Sequence, residues 1–217
     1  MDHRNIRAVL FDFDGVICQT EVFRMDRREA FLKELGLRVD RRALYRMVGG
    51  SNMTDRTAQM DAIFGSQPLY RQNRDAILAH RVMEFRYPDI LTPGLVPALA
   101  RLREGGLRLA VVSNSREEVI DAALRECGIR EAFAGIVSGW DSPLAKPDPH
   151  IYLEAMKQLD LPASRCVVVE DSAVGIRAGK AAGCYVAALR DRDGLIDQSA
   201  ADVVLADIRE LPPLLGL

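Results

Sequence analysis

The chain has 217 residues, 48% of them hydrophobic and 28% charged, which is typical of a folded globular protein with one sizeable core. Its net charge of −2 gives no basis for nucleic-acid binding by bulk electrostatics, and no apolar stretch approaches the roughly 20 residues of a membrane span. The N-terminus runs into a strand pattern without the apolar region of a signal peptide. We therefore expect a cytoplasmic protein without nucleic-acid or membrane partners.

The first predicted element is a short buried strand, residues 8–11, that stops at two acids one residue apart. Asp12 and Asp14 leave the carboxyl end of this strand, where the chain turns at Gly15. Open α/β sheets bind their ligands at that end of their strands, and two carboxylates placed there need a cation or a proton. An Asp-x-Asp pair alone also occurs in many turns and helix caps, so its interpretation depends on the rest of the chain.

Residues 16–89 contain no convincing β pattern and predict an all-helical segment. The predicted helices cover residues 21–35, 41–48, 53–64 and 68–85. Because the segment lies between the first strand and the rest of the sheet, we interpret it as an insertion that can reach over the acid pair. The predicted domains are therefore a core of residues 1–15 and 90–217 and a helical domain of residues 16–89.

From Gly94 onward, short apolar runs alternate with amphipathic stretches of about ten to fifteen residues, a pattern typical of parallel sheets. The predicted helices are 95–104, 116–127, 149–159 and 173–182. The predicted strands are 107–112, 135–137, 166–169, 184–189 and 201–205. We therefore predict an α/β fold with a doubly wound, Rossmann-like parallel sheet as its core and an inserted α-helical domain.

Three of the predicted strands end in polar side chains. The first is followed by the acid pair, the second by Ser113-Asn114-Ser115, and another by Glu170-Asp171-Ser172. Lys146 stands between the second and third of these groups, just before a helix. Since the carboxyl ends of parallel strands share one edge of the sheet, we expect all these groups to converge.

Such a set of side chains suits phosphoryl transfer. Asp12, Glu170 and Asp171 can supply the hard oxygen ligands that Mg²⁺ prefers. Lys146 is a compact positive charge suited to a phosphate oxygen. Ser113, with the backbone N–H groups around Asn114, can donate to the same phosphoryl group. These groups predict a magnesium and phosphate site at the edge of the sheet.

Each group also has a purely structural interpretation. Asn114 or Ser115 can cap the helix that starts near Arg116, and Glu170-Asp171 can complement the dipole of the next helix. Lys146 can be an exposed lysine in a proline-rich turn. The occurrence of all these groups in order at predicted strand ends favours the functional interpretation.

Four motifs of this chain, Asp-Phe-Asp-Gly-Val, Val-Ser-Asn-Ser, Lys-Pro-Asp-Pro and Val-Glu-Asp-Ser, resemble the ordered motifs of the haloacid dehalogenase superfamily. The likeness is to its branch of small sugar-phosphate phosphatases and β-phosphoglucomutases. It covers nearly the whole chain, including the helical insertion, which that family calls a cap. The resemblance implies a small phosphorylated substrate and Mg²⁺ as cofactor.

The resemblance also implies a role for each motif residue. Asp12 would be the nucleophile that forms an aspartyl-phosphate, and Asp14 would protonate the leaving alcohol and then activate water. Ser113 and Lys146 would hold the phosphoryl group. The backbone carbonyl of Asp14 would contact the metal. The implied metal residues are Asp12, Asp14, Glu170 and Asp171.

Asp14 makes dehalogenase or phosphonatase chemistry improbable, because those relatives lack an acid at this position. β-Phosphoglucomutases usually carry a histidine about where Arg24 stands, and an arginine after the Gly-x-Ser of the cap loop, where this chain has Gly50-Ser51-Asn52. These departures favour a phosphatase of a sugar or polyol phosphate. The alternatives are a β-phosphoglucomutase-type mutase and a non-catalytic binding or regulatory protein on the same fold.

In this branch the loop around Ser51 and Asn52 resembles the segment that recognises the leaving group. We expect these two residues to contribute to specificity, although the loop can also simply end one helix and cap the next. Arg24 and Arg46 can contact a distal anionic group or be solvated.

The four cysteines lack C-x-x-C spacing and predict buried thiols, with Cys18 close to the acid pair. We expect a monomer.

Overall fold

The computed structural model describes residues 5–48, 53–80 and 85–217. The chain forms two compact units. Met1–Gln19 and Arg86–Leu217 make up the first, here called the core unit, and Thr20–Phe85 make up the second, here called the helical unit. No helix in the described ranges has the length and apolar character needed to cross a membrane.

The helical unit contains no strand within its described residues. Its helices are α1 (Thr20–Glu34), α2 (Arg41–Val48), α3 (Met53–Phe64) and α4 (Pro68–Ala79). The side chains buried between them are Leu32, Leu37, Leu44, Met60, Phe64, Tyr70 and Ile77. This shared apolar cluster gives the unit a small core of its own.

The predicted helix over residues 68–85 is wrong in its extent, because α4 ends at Ala79. His80 adopts an extended backbone, and its imidazole stacks on the ring of Phe31 with 3.7 Å between the ring centroids. This aromatic contact favours an exit from the helix at a position where the sequence alone shows no glycine or proline.

The core unit is built on a parallel sheet of six strands in the order β3-β2-β1-β4-β5-β6. The strands are β1 (Ala8–Phe11), β2 (Arg108–Ser113), β3 (Gly135–Ser138), β4 (Cys166–Glu170), β5 (Tyr185–Leu189) and β6 (Val203–Leu205). All four residues of β1 are buried, because this central strand is covered on both faces.

The sheet changes its winding direction at β1. Phe11, the last residue of β1, pairs with Val111 of β2 on one side and with Val169 of β4 on the other. In doubly wound folds the crevice outside the carboxyl ends of the strands at this reversal is the usual ligand site. The topology therefore gives the ends of β1, β2 and β4 a special position.

The α-helices in the described part of the core unit are α5 (Leu95–Glu104), α6 (Glu117–Glu126), α7 (His150–Gln158), α8 (Ala173–Ala181) and α9 (Leu211–Leu214). On one face of the sheet, Leu10 and Val168 share a buried cluster with Tyr152 of α7 and Ile176 of α8. The Rossmann-like α/β fold predicted from the sequence is confirmed. Apart from α4, the predicted elements agree with the structure to within two residues at each end, and α9 was not predicted.

Residues 16–19 and 86–89, which the prediction gave to the helical domain, belong to the core unit. The backbone N–H of Thr92 donates to Ile17 O at 2.9 Å, and that of Gln19 donates to Ile90 O at 2.7 Å. The side-chain amide of Gln19 also donates to Gly15 O at 2.8 Å. These bonds fasten the two connecting segments to each other and to the loop after β1.

We expect Leu10→Ala to lower the free energy of unfolding by about 2–5 kcal/mol, because it leaves a cavity between the fully buried central strand β1 and the helices that cover it. Val204→Ala is the control, since Val204 lies on edge strand β6 with 37% of its surface exposed. Its expected loss is within about 0.5 kcal/mol. Urea denaturation of both variants measures the difference, and equal losses would contradict the described core.

Candidate active site

The structure brings the predicted core residues together at the carboxyl edge of the sheet. Asp12 follows β1 directly, and its backbone N–H donates to Val169 O of β4 at 2.9 Å. Ser113 ends β2, and Glu170 ends β4. These side chains therefore lie at the point where the winding of the sheet reverses.

Lys146 is buried at the centre of this group, so its interpretation as an exposed lysine is wrong. Its ammonium donates to Asp12 Oδ1 at 2.5 Å, to Glu170 Oε1 at 2.6 Å and to the backbone oxygen of Val112 at 2.7 Å. A lysine ammonium has three protons. The three acceptors therefore match its donors and join the ends of β1, β2 and β4.

Asn114 places the backbone of Lys146. Its Oδ1 accepts from the Lys146 N–H at 3.1 Å, and its Nδ2 donates to the Lys146 carbonyl at 3.4 Å. The side-chain amide thus holds the lysine loop against the end of β2. The phosphate contact predicted for the backbone around Asn114 stays a prediction.

The pKa values of this pair reflect burial and mutual attraction. Burial raises the pKa of Asp12 well above its usual range, and attraction to Lys146 opposes this only in part. Burial alone would lower the pKa of Lys146, but Asp12 and Glu170 outweigh it, so this pKa is raised. Lys146 is therefore cationic, and a further cation near Asp12 would favour its ionised form.

Glu170 is completely buried, and both of its oxygens accept hydrogen bonds. Oε1 accepts from Lys146 and from the Tyr152 hydroxyl at 2.8 Å. Oε2 accepts from the backbone N–H groups of Asp171 and Ser172 and from the Ser172 hydroxyl. Ser172 also caps α8 by accepting from the Gly175 N–H at 3.0 Å. The carboxylate of Glu170 is thus fixed as the support of Lys146.

Asp171 completes a cluster of three carboxylates. Single oxygens of Asp12, Glu170 and Asp171 all lie within 4.8 Å of one another, which makes the group a candidate metal site. Gly15, at φ +87°, allows this approach, because a Cβ there would lie 1.9 Å from Asp171 Oδ2. The Gln198 amide donates to the Asp171 carbonyl at 2.7 Å and holds its backbone.

Asp14 differs from Asp12 in its surroundings. It is half-buried, and its Oδ2 accepts from the Ser115 hydroxyl at 2.5 Å. Ser113 Oγ accepts from the Ser115 N–H at 3.1 Å. The interpretation of Asn114 or Ser115 as a helix cap is wrong, because α6 begins at Glu117 and no side chain caps it.

Three residues of this region were missed by the sequence analysis. Ser115 lies inside a motif, but nothing in the sequence shows that its hydroxyl meets Asp14. Tyr152 belongs to the buried stripe of α7, where an aromatic residue with a hydroxyl was the available signal. Arg116 lies over the half-exposed ring of Trp140, 4.6 Å from the ring centroid. Arg116 follows β2, which ends at the site, and Trp140 follows the neighbouring strand β3.

The structure gives little information on the specificity residues that were predicted in the helical unit. Ser51 and Asn52 lie outside the described residues, as does the side chain of Arg46. Arg24 is exposed on α1. Their proposed part in specificity stays a prediction.

Cys18 is buried beside the loop that carries Asp14, and the thiol of Cys127 lies near it. Burial raises the pKa of both thiols. Since the thiolate is the reactive form of cysteine, this environment favours an unreactive thiol.

The chain belongs to the haloacid dehalogenase-like hydrolase family, whose model matches residues 6–183. It is 32% identical to protein CbbY of Rhodobacter capsulatus over 197 residues, which cover 83% of this chain and 84% of that protein. It is 27% identical to the β-phosphoglucomutase of Bacillus subtilis, with 95% of this chain and 92% of that protein covered. It is 28% identical to hexitol phosphatase B of Escherichia coli, with 82% and 81% covered.

The fold is also similar to that of a solved haloacid dehalogenase family hydrolase from Deinococcus radiodurans, with a TM-score of 0.73 and 27% identity. The match covers 96% of this chain and 94% of the other, whose structure contains bound phosphate and sodium. The family predicted from the four motifs is confirmed, and with it the enzyme class, a haloacid dehalogenase-like hydrolase.

We expect Gly175→Ala to lower the free energy of unfolding by about 1–3 kcal/mol through overpacking. A Cβ at this position in α8 would lie 1.8 Å from Glu170 Oε1, and the hydrogen bonds of Glu170 prevent an easy retreat. Helix propensity alone predicts that the substitution raises the free energy of unfolding, because alanine is favoured over glycine in a helix by about 1 kcal/mol.

Gly135→Ala is the matched control, since its Cβ would meet no atom closer than the Gln158 Oε1 at 3.9 Å. We expect it to be neutral or slightly stabilising in urea denaturation. A Gly175→Ala variant as stable as the wild type would contradict the described packing of Glu170.

Proposed function

We propose that this protein is a Mg²⁺-dependent phosphatase that hydrolyses a small phosphorylated sugar or polyol through an aspartyl-phosphate on Asp12. The observation that supports this most directly is the 2.5 Å contact between the Asp12 carboxylate and the buried Lys146 ammonium, at the same sheet edge as Asp14 and Asp171. A carboxylate nucleophile, a cation for the phosphoryl oxygens and a separate acid are the groups that this reaction needs.

The donor set fits Mg²⁺. The cluster has three carboxylates and one lysine ammonium, which contacts Asp12 and Glu170, so the ionised cluster keeps an excess of negative charge, and its donors are hard oxygens. Asp12 and Asp171 would hold the ion, with the predicted backbone carbonyl of Asp14, because the oxygens of Glu170 already accept hydrogen bonds. When bound, Mg²⁺ neutralises charge on the phosphoryl oxygens and so allows an anionic ester to approach Asp12.

The first chemical step is an attack of Asp12 on phosphorus. Lys146 holds Oδ1 of Asp12, and Oδ2 accepts no hydrogen bond from any residue in the described ranges. A bond forms between Oδ2 and phosphorus while the bond from phosphorus to the ester oxygen breaks. Asp14 gives its proton to that oxygen, which leaves as an alcohol.

The second step returns the enzyme to its starting state. Asp14, now a carboxylate, takes a proton from water as the water oxygen attacks phosphorus. The bond between phosphorus and Oδ2 breaks, which releases inorganic phosphate and restores the Asp12 carboxylate. The Ser113 hydroxyl donates to a phosphoryl oxygen throughout, and the Lys146 ammonium, whose three protons already have acceptors in the protein, attracts the phosphoryl group by its charge. The Ser113 oxygen already accepts from the Ser115 N–H, which leaves its proton available for this contact.

The substrate class rests on the relatives. The hexitol phosphatase and the β-phosphoglucomutase are both similar over most of this chain, and their names describe phosphorylated polyols and sugars. Arg24 and Asn52 stand where the mutase branch usually carries a histidine and an arginine. This difference supports hydrolysis of the phosphoryl group over its transfer back to the sugar. The monomeric state, the cytoplasmic location and the specificity residues of the helical unit remain predictions.

The first test is release of inorganic phosphate from a panel of sugar phosphates, polyol phosphates and phosphoglycolate with Mg²⁺. We expect activity on at least one ester, its loss with EDTA, and a drop of more than roughly a thousandfold in Asp12→Asn, which removes the nucleophile. Asp75→Asn is the control, because this side chain is fully exposed on α4.

Two results would contradict the proposal in different ways. Absence of phosphate release from every ester, with no effect of EDTA or Asp12→Asn, would exclude a phosphatase. Conversion of β-glucose 1-phosphate to glucose 6-phosphate would establish a mutase instead.

A second test concerns the metal. We expect Asp171→Asn to raise the Mg²⁺ concentration for half-maximal activity on the order of tenfold or more, because even residues that only orient metal ligands contribute that much to affinity. Saturating Mg²⁺ should restore most of the turnover rate, and Asp75→Asn should show the wild-type Mg²⁺ dependence. An unchanged Mg²⁺ requirement in Asp171→Asn would show that the ion is held elsewhere.

A further inference from the structure

The contact between Ser115 and Asp14 is a feature for which the motifs provide no role. The Ser115 hydroxyl lies 2.5 Å from Asp14 Oδ2, within the range of roughly 2.5–2.7 Å for a hydroxyl that donates to an ionised carboxylate. The two residues are 101 positions apart in the chain and leave neighbouring strands β1 and β2. The contact therefore joins two loops of the core unit directly at the proposed acid.

Ser115 is itself held by backbone contacts on both sides. Its N–H donates to Ser113 Oγ at 3.1 Å, and its carbonyl accepts from the Ser138 hydroxyl at 2.7 Å. Ser138 ends β3 and also accepts from the Trp140 N–H at 3.2 Å. Because β3, β2 and β1 are neighbours in the sheet, this chain of contacts ties the position of Asp14 to three strand ends.

A hydroxyl differs from most partners of a carboxylate because it can both donate and accept a hydrogen bond. It can donate to an ionised carboxylate, and after rotation it can accept from a protonated carboxyl group. An ammonium, a guanidinium or a backbone N–H can only donate, and it therefore stabilises the ionised form more than the protonated form. Asp12 is paired with the ammonium of Lys146, which can only donate, whereas a partner of Asp14, the Ser115 hydroxyl, can donate or accept.

We propose that Ser115 is a positioning residue that holds the Asp14 carboxyl group in the same place as an acid in the first step and as a base in the second. The proposal rests on the proposed phosphatase function. It assigns no contact between Ser115 and the substrate. Its consequence is that loss of the hydroxyl should weaken proton transfer to the leaving group and leave the attack of Asp12 largely unaffected.

The experiment compares two esters in the purified enzyme with Mg²⁺. One is the alkyl ester of the panel that the wild type hydrolyses fastest, whose alkoxide must be protonated as it leaves. The other is p-nitrophenyl phosphate, whose phenolate leaves without a proton. We expect Ser115→Ala to lower kcat for the alkyl ester on the order of tenfold, a part of the usual acid–base contribution. The loss on p-nitrophenyl phosphate should be several times smaller.

Three further variants sharpen the result. Ser115→Thr keeps a hydroxyl and should recover most of the alkyl-ester activity. In an Asp14→Asn background, Ser115→Ala should cause little additional loss, because the two changes remove one function. Ser164→Ala is the control, since Ser164 is exposed in the turn before β4, at the opposite edge of the sheet.

The outcomes separate this proposal from the phosphatase function. If the wild type releases phosphate from neither ester, the function fails and the role of Ser115 fails with it. If the wild type is active, equal losses on both esters, full additivity with Asp14→Asn, or unchanged alkyl-ester activity in Ser115→Ala would each overturn the role of Ser115 alone. Activity of Ser115→Ala on p-nitrophenyl phosphate also reports that the variant is folded.

Discussion

The candidate site depends on one buried ammonium group. Lys146 donates to an acid that follows β1, to a backbone carbonyl of β2 and to an acid that ends β4, and it thereby fixes three adjacent strand ends. Burying a charge is costly unless it is paired and its hydrogen bonds are satisfied, and here all three protons have acceptors. A residue in a long connecting loop thus determines the geometry of a site at the centre of the sheet.

This arrangement also explains why the surroundings of Lys146 are so constrained. Asn114 clamps its backbone, Tyr152 shares its acceptor on Glu170, and glycine at positions 15 and 175 leaves room for Asp171 and Glu170. Buried ion pairs contribute little net stability compared with apolar packing of the same volume. A cluster with more carboxylates than cations contributes still less, so its retention is best understood through the chemistry that it allows.

The sequence was sufficient for the sheet and for the residues at its edge. Short apolar runs separated by amphipathic helices define parallel strands, and parallel strands place their ends together whatever their distance in the chain, which is why Asp12, Ser113 and Glu170 could be predicted as neighbours. The direction in which a side chain points could not be predicted in the same way. Whether Asn114 faces the lysine loop or the phosphate, and whether Ser115 caps a helix or meets Asp14, depends on contacts between loops that no local pattern records.

The same limit applies to the end of α4, where the stacking of His80 on Phe31 overrides a sequence that continues to favour helix. It applies to the connecting segments as well. Residues 16–19 look like part of the helical insertion because they lack a strand pattern, but their backbone pairs with residues 90–92 of the core. In each case a contact distant in sequence decides the boundary.

Asp12 and Asp14 show how two identical residues acquire different chemistry. Asp12 is buried against the Lys146 ammonium and belongs to the candidate metal cluster, so positive charge beside it stabilises its anion. Asp14 is half-buried and paired with a hydroxyl that accepts or donates as required. Environments that separate two carboxylates in this way assign the acid–base role to one and the nucleophilic role to the other. The proposed division of labour therefore follows from what each side chain contacts, since the two residues are identical in type.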